Sequence, residues 1–321
     1  MPQSRWLRFA IHRLVSLCAV LGTLVVGTFL IVQLIPGDPA RALAGQDATG
    51  PQLAVIRHQL GLDRPLWHQF WSYLDQLAHG NLGTSFSQNG QQVSTLIGDR
   101  LPYTAELAFL GLALVLVVSI PLGLAVAVGC QGGRRGALDS GFTAVTSLFG
   151  AVPEYVLGTV LVALFALKLG WFPPAGAATL DALVLPVLAV AVGPICALAR
   201  IVRREAGVVL TQEYLRTARG KRLGATRLHL RHALPNLLTS TLTLGGIMLT
   251  GLLGGTVVIE TVFGWPGLGS MVVQAILARD YPVIQGIVLV LGLIATSINI
   301  LIDILLGVLD PRRLGAAEAH A

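Results

Sequence analysis

Six stretches of this chain are almost free of charge, and they decide what it can fold into. They cover residues 14–35, 107–129, 140–167, 182–199, 237–259 and 283–302, and Glu154 is the only Asp, Glu, Lys or Arg in any of them. A helix needs about 20 residues to cross the hydrocarbon core of a bilayer. One such stretch could be a buried core helix. Six cannot share a soluble core in a chain of 321 residues of which 12% are charged, where soluble domains carry about 25%. None alternates with period two, so lipid-facing strands are excluded. A helix also satisfies every backbone donor and acceptor within its own segment. The expectation is an all-α membrane protein with six transmembrane helices. The same composition excludes a disordered chain, and three cysteines, Cys18, Cys130 and Cys196, exclude a disulfide scaffold. The first stretch has the basic start of a signal peptide (Arg5, Arg8, Arg13) and a cleavage-like Ala42-Leu43-Ala44. Signal cores run only about 7–15 residues, so a retained helix is expected.

The net charge of +6 is then a matter of placement. With the amino terminus in the cytoplasm, an even number of spans puts the carboxyl terminus there too. Sixteen of the 22 basic residues fall on that side: Arg5, Arg8 and Arg13, then Arg134 and Arg135, nine between Arg200 and Arg231, and Arg312 and Arg313. Arg41, Arg57, Arg64, Arg100, Lys168 and Arg279 fall on the other. Basic loops stay cytoplasmic during insertion, which sets the orientation with both termini inside. The positive excess is thus a topology signal, and no nucleic-acid partner is expected. Trp171 and Trp265 fall at outer span boundaries, where indole rings are favoured, and Trp6 precedes the first span on the inner side.

The chain divides into a cytoplasmic start with the first span (1–35), a periplasmic segment (36–106), spans two to six (107–313) and a short tail (314–321). In the outer segment Leu66, Phe70, Leu74 and Leu77, with Trp67 and Trp71, recur at helical spacing and predict an amphipathic helix on the membrane or on the bundle. The inner segment 200–236 reads as a helix over 205–219, a turn with Gly220 and Gly224 as helix-end signals, and a second short helix over 225–234. Such a loop could pass force between two spans, or its basic residues could meet anionic lipid.

The usual chemical motifs are missing. No Gly-x-x-x-x-Gly-Lys-[Ser/Thr] occurs, since Leu215 and Arg222 stand where the first glycine and the hydroxyl belong around Gly220-Lys221, so no phosphate-binding loop is expected. No His-Glu-x-x-His, Cys-x-x-Cys or Gly-x-Ser-x-Gly occurs, and the seven histidines lie outside the apolar runs. No catalytic or metal site is expected.

Inside the membrane, Glu154 stands between Pro153 and Tyr155, midway along the third apolar run. An ionised group there costs about 2.5–3.5 kcal/mol on insertion scales and faces an interior or a cavity. It either meets a cationic part of a substrate or fixes helix packing. Gly251 and Gly255 form a Gly-x-x-x-Gly face suited to close helix packing or to a pore wall. Pro121, Pro153, Pro186 and Pro194 each remove a helix hydrogen bond and are expected to kink their helices. Asp303 follows the last apolar run.

Several strings carry a family resemblance. They are Ile35-Pro36-Gly37-Asp38-Pro39-Ala40, Leu60-Gly61-Leu62-Asp63-Arg64-Pro65-Leu66, Gly80-Asn81-Leu82-Gly83-Thr84-Ser85-Phe86 and Arg100-Leu101-Pro102-Tyr103-Thr104-Ala105-Glu106-Leu107. Two more are Glu260-Thr261-Val262-Phe263-Gly264-Trp265-Pro266-Gly267-Leu268-Gly269 and Arg279-Asp280-Tyr281-Pro282. In this order around six apolar runs, the whole chain resembles the first permease subunit of ABC importers for dipeptides, oligopeptides and, in some members, nickel. Glu260, Phe263, Trp265, Pro266, Gly267, Asp280 and Tyr281 are then the periplasmic family motif. Importers of this class carry Glu-Ala-Ala-x3-Gly-x9-Ile-x-Leu-Pro, the helix that couples to the ATPase. Here Arg216-Thr217-Ala218 opens it, Gly220, Lys221, Arg222, Leu223 and Gly224 form its turn, and Leu234-Pro235 closes it. Arg222 departs from the family glycine, and the turn moves to Gly220 or Gly224, since only glycine takes positive φ without penalty.

The resemblance implies half of a pore in a bacterial cytoplasmic membrane and no enzyme activity in this chain. The implied partners are a second permease subunit, two ABC ATPase subunits and a periplasmic or lipid-anchored substrate-binding protein. Short peptides are the implied substrate; ATP and Mg would be used by the ATPases, with no cofactor on this chain. The alternatives are a nickel, opine or other small-solute permease of the same class, and an ion-coupled secondary transporter. The latter should show an intramembrane charge network and inverted repeats, and neither is visible in the sequence.

Overall fold

The computed structural model describes residues 2–34, 39–44, 48–59, 61–88, 90–131, 136–220 and 224–309. Among them every regular element is helical, and extended backbone pairs only at the isolated bridge between Thr84 and Gln92. In chain order the elements are α1 (Pro2–Leu34), α2 (Pro39–Ala44), α3 (Gly50–Gln59), α4 (Leu66–Ala78) and α5 (Val93–Gly129). Then follow α6 (Gly136–Gly150), α7 (Glu154–Leu161, continued as a π-helix over Val162–Lys168) and α8 (Val184–Val209). The last are α9 (Glu213–Gly220), α10 (Ala225–Leu228), α11 (Leu234–Val262), α12 (Leu268–Ala278) and α13 (Tyr281–Leu309).

Five of these are long and apolar enough to cross a bilayer, through Arg13–Leu30, Val93–Gly129, Leu180–Val209, Leu244–Val262 and Tyr281–Ile304. The sixth expected span is not one helix. α6 and the α7 run to Lys168 are bent by 87° at residues 151–153. Pro153 has no N–H to donate, and it biases Val152 away from helical backbone. Glu154 is therefore not midway along a helix, as expected, but at the start of a half-helix. The helices are not interrupted at the other prolines. α5 continues through Pro102 and Pro121, α8 continues through Pro194, and Pro186 lies in the first turn of α8, where a missing N–H removes no α-helical bond.

The helices overrun the apolar stretches. α5 begins at Val93, inside the segment expected to be periplasmic, and α8 continues past Ala199 to take in Arg200, Arg203 and Arg204. Charges end an apolar run without ending helical propensity, because Arg and Glu are good helix formers.

The chain forms two compact units. The first comprises residues 1–104 and 266–297. Its core joins Val93, Leu96 and Ile97 of α5 to Leu268, Met271 and Ala275 of α12 and Val283, Ile284 and Ile287 of α13. A β-carbon on Gly286 would stand 2.6 Å from Val93 Cγ1, so α13 passes α5 at a separation that suits glycine. α4 is the expected amphipathic helix. It lies on α1, with the Phe70 ring edge-on to Phe29 at 5.1 Å and Tyr73 stacked on Phe29 at 6.1 Å.

The second unit comprises residues 105–265 and 298–321. α8 is its axis, packing against α6, α7 and α11, with Ala191, Leu198 and Val202 against Val115 of α5. Arg203 of α8 pairs with Asp139 near the start of α6, and Arg200 Nη1 donates to Ser147 Oγ at 3.0 Å. A β-carbon on Gly123 would stand 2.6 Å from Ala199 O and 2.9 Å from Arg203 N, so α5 and α8 meet backbone to backbone there.

Candidate translocation path and coupling site

The break in the third span is built from its own hydrogen bonds. The Ala151 N–H closes α6 on Ser147 O at 3.0 Å, and Val156 N–H opens α7 on Pro153 O at 3.0 Å. Glu154 is then the first residue of α7 and is half-buried, while Pro153 and Tyr155 are exposed. A carboxylate in this position lies at the positive end of the helix dipole. A β-carbon on Gly255 of α11 would stand 3.8 Å from Glu154 Oε1, so two of the expected path residues come together. Gly251 does not join them. Its β-carbon position meets nothing within 4 Å among the described residues, which do not make the expected Gly-x-x-x-Gly packing there. The close approaches on α11 fall at Gly245, 3.3 Å from Leu116 Cδ2, and at Gly246 against Ile302. Interrupted backbone at membrane depth is tolerated against protein or beside a water-filled cavity, and this place combines such an interruption with a carboxylate.

The expected coupling element is a short helix seated on the ends of longer ones. Thr211 and Gln212 turn the chain from α8 into α9, with Gln212 N–H bonded to Val209 O at 3.1 Å and Leu215 N–H to Gln212 O at 3.1 Å. Leu215 and Ala218 are buried against Leu124 and Ala127 of α5, Ala206 of α8, Leu228 of α10 and Leu237 of α11. Glu213, Tyr214 and Thr217 face outward, and Thr217 Oγ1 donates back to Glu213 O at 3.1 Å. Gly220 ends α9, and Gly224 O accepts the first bond of α10 from Leu228 N–H at 3.0 Å. Arg216 belongs to α9; Lys221, Arg222 and Leu223 lie outside the described residues.

Four of the family strings turn out to hold helix ends, while residues 100–107 lie within α5 and residues 35–38 lie outside the described residues. At the end of α11, Trp265 N–H bonds to Glu260 O at 2.8 Å and Gly264 N–H to Thr261 O at 3.4 Å, with Gly264 at φ 57°. This is the paired 6→1 and 5→2 pattern that closes a helix through a left-handed residue. The pattern recurs after α4, with Asn81 N–H on Gln76 O and Gly80 N–H on Leu77 O, and after α3, with Leu62 N–H on Arg57 O and Gly61 N–H on His58 O. It recurs after α12, where Asp280 N–H bonds to Ala275 O and Arg279 supplies the left-handed residue at φ 58°. The reversal at Gly264 turns Trp265 into the core, where it is 2% exposed. It is not an interfacial anchor, as expected; Trp171, 62% exposed, remains at the surface. Glu260 and Phe263 are buried, Pro266 is half-buried, and Gly267 caps α12, whose Leu268 N–H donates to Thr104 Oγ1 at 2.8 Å.

Asp280 and Tyr281 are also buried. Asp280 Oδ2 accepts from Ser85 Oγ, from Ser87 N at 2.8 Å and from Ser87 Oγ at 2.7 Å. The carboxylate thus clamps the loop after α4 to the start of α13. Sequence reasoning missed Ser87 altogether and quoted Ser85 without a role, because no local pattern links either to a residue more than 190 positions away.

Comparison with known proteins now bears on these features. Residues 119–315 match the family described as binding-protein-dependent transport system inner membrane component, and residues 6–108 match the N-terminal membrane component of the same systems. A protein of Brucella abortus (strain 2308) named as a peptide transport system permease is 42% identical over 293 residues, 89% of this chain and 92% of its own length. The glutathione transport system permease protein GsiC of Salmonella choleraesuis (strain SC-B67) is 37% identical over 306 residues, 95% of this chain and 98% of its own. Among solved structures, an inward-facing MetNI methionine ABC transporter chain superposes with TM-score 0.58 at 17% identity, covering 68% of this chain and 97% of that one; it supports the fold. The chain belongs to the family of inner membrane components of binding-protein-dependent transport systems.

Proposed function

We propose that this chain forms half of the pore of an ATP-driven importer of short peptides. A second permease subunit completes the pore, two ABC ATPase subunits dock on the α9 side, and a substrate-binding protein delivers peptide from the opposite side. The relatives named for peptide and glutathione transport support this substrate class. The observation that carries the reading is the seating of α9. A short helix anchored through Leu215 and Ala218 to α5, α8 and α11 moves with those helices, so a push on its exposed face is transmitted to the spans. The sixteen-to-six division of basic residues supports cytoplasmic termini and a cytoplasmic α9. ATP and Mg belong to the ATPases in this scheme.

Proteoliposomes holding both permeases and both ATPases, supplied with binding protein, are expected to accumulate labelled dipeptide only with ATP. Leu215→Asp places a charge in the buried seat of α9 and is expected to lower that uptake at least about tenfold, the equivalent of ~1.4 kcal/mol. Uptake driven by an ion gradient with neither ATP nor ATPase overturns the proposal.

Glu154 is the candidate contact for a cationic group such as a peptide amino terminus. Glu154→Gln, at unchanged protein amount, is expected to lower uptake of such peptides roughly tenfold. Equal uptake of all peptides, cationic ones included, leaves Glu154 with a packing role.

A further inference from the structure

The first unit holds a cavity of about 370 Å³ that the transport scheme does not use. Three of the family strings line it: Gly61, Leu62 and Arg64 from one, Asn81 to Thr84 and Phe86 from the second, Tyr281 and Pro282 from the third. α4 forms another wall.

The lining is a set of donors with a positive charge. Arg64, His68, Ser72 and Gln76 reach it from α4 and the turn before it, and among the described residues no Asp or Glu lines it. No carboxylate among the described residues pairs with Arg64. The Asn81 Oδ1 is taken by Gly83 N–H at 2.9 Å, which leaves its NH2 group to donate elsewhere. Tyr281, 3% exposed, is part of the wall, and its hydroxyl has no hydrogen-bond partner among the described residues. Burial pushes the Tyr73 phenol up, against the smaller effect of its bond to Thr28, so that side chain adds no negative charge.

The depth of the cavity follows from its other walls. Phe29 is next to the last residue of the span Arg13–Leu30, and Pro282 and Gln285 lie in the first turns of the span Tyr281–Ile304. The cavity therefore sits where two spans leave the hydrocarbon. α4 carries Trp67 and Trp71 one turn apart, exposed at 60% and 63%, with Leu66 exposed beside them. Indole rings in that state belong at the lipid–water interface, and a helix with such a face lies in the interfacial plane. Val26 and Leu30, exposed on α1 within a turn of Phe29, offer apolar surface for an acyl chain.

We propose that this cavity holds the phosphate headgroup of a membrane phospholipid, with Arg64 as its cationic contact, His68 as a hydrogen-bonding neighbour and α4 resting on the leaflet through Trp67 and Trp71. Charge complementarity and the depth of the cavity favour a lipid over a soluble anion. The site stands whichever side of the membrane it faces, so its failure is separable from failure of the transport scheme.

The test uses the assembled transporter, stripped of lipid in detergent and returned to nanodiscs of equal parts phosphatidylethanolamine and phosphatidylglycerol. Native mass spectrometry after release is expected to show one retained phospholipid per copy of this chain. Arg64→Gln is expected to lower its occupancy about fivefold and Arg64→Lys to keep it, as one basic residue at a lipid surface implies. Acyl-brominated lipid is expected to quench tryptophan fluorescence less in the Trp67→Phe, Trp71→Phe double variant than in the parent. Equal lipid retention by the parent and Arg64→Gln overturns the proposal. So does displacement of the lipid by inorganic phosphate, which assigns the cavity to a soluble anion. A change in binding-protein affinity without a change in lipid occupancy also overturns it and assigns the surface to that protein.

Discussion

Asp280→Ala is expected to destabilise the protein by about 3–5 kcal/mol. The carboxylate is fully buried, and three donors converge on its Oδ2. Removing it strands the buried Ser85 hydroxyl, whose loss of a partner costs about 1–3 kcal/mol, and also breaks two charge-assisted bonds from the more exposed Ser87. The loop after α4 would then detach from the start of α13, and the cavity beside it would lose two of its walls. A thermal melt of the purified transporter is expected to fall by roughly 10 °C. Asp280→Asn keeps one acceptor oxygen and should fall by less. An unchanged melt in the alanine variant would mean that the loop is held by other contacts.

Gly123→Ala should damage transport more than its size suggests. The added methyl would stand 2.6 Å from Ala199 O, 2.8 Å from Val202 Cβ and 2.9 Å from Arg203 N. Two of those atoms are backbone of α8, which cannot rotate away, so α5 and α8 must separate. Overpacking of this kind costs about 1–3 kcal/mol. The separation would open the neighbouring layer, where Leu124 and Ala127 meet Ala206 and Leu210 and where Leu215 of α9 is seated. The expected outcome is a loss of about 2 kcal/mol in stability together with a fall in peptide-stimulated ATP hydrolysis of about tenfold or more. Gly123→Leu should fail to accumulate in the membrane. Gly251→Ala is the control, since its β-carbon meets nothing within 4 Å among the described residues. If Gly123→Ala and Gly251→Ala behave alike, the α5–α8 contact is not what holds α9 in register.

The spans were legible because hydrocarbon imposes a length and excludes charge, and both are local properties of sequence. Their ends were less so. Asp99, Arg100 and Glu106 stop the apolar run before α5, yet the helix begins at Val93, because a helix leaving the bilayer can carry charge without unwinding. Pro153 marked a break in the third span, but a proline does not reveal how far the chain turns, and here the two halves diverge by 87°. Trp265 differs for a local reason: an indole near a span end looks like an anchor by position until Gly264 turns it inward. The clamp on Asp280 was invisible for a different reason, since it joins segments with no sequence pattern in common. Of the candidate site, the end of α9 followed from Gly220, but the break at residues 210–212 that separates it from α8 had no sequence signal, and its seat on α5, α8 and α11 depends on which helices come together in space.

The break between α6 and α7 also bears on how the chain enters the membrane. α6 has 15 residues and the second half-helix runs only from Glu154 to Lys168, whereas an independent crossing needs about 20. Neither half can be threaded and released to lipid on its own, and the amides at the start of α7 lack helical acceptors. α8 packs against both half-helices, so their stable insertion is expected to require α8, and protease protection of chains truncated before and after α8 would show it.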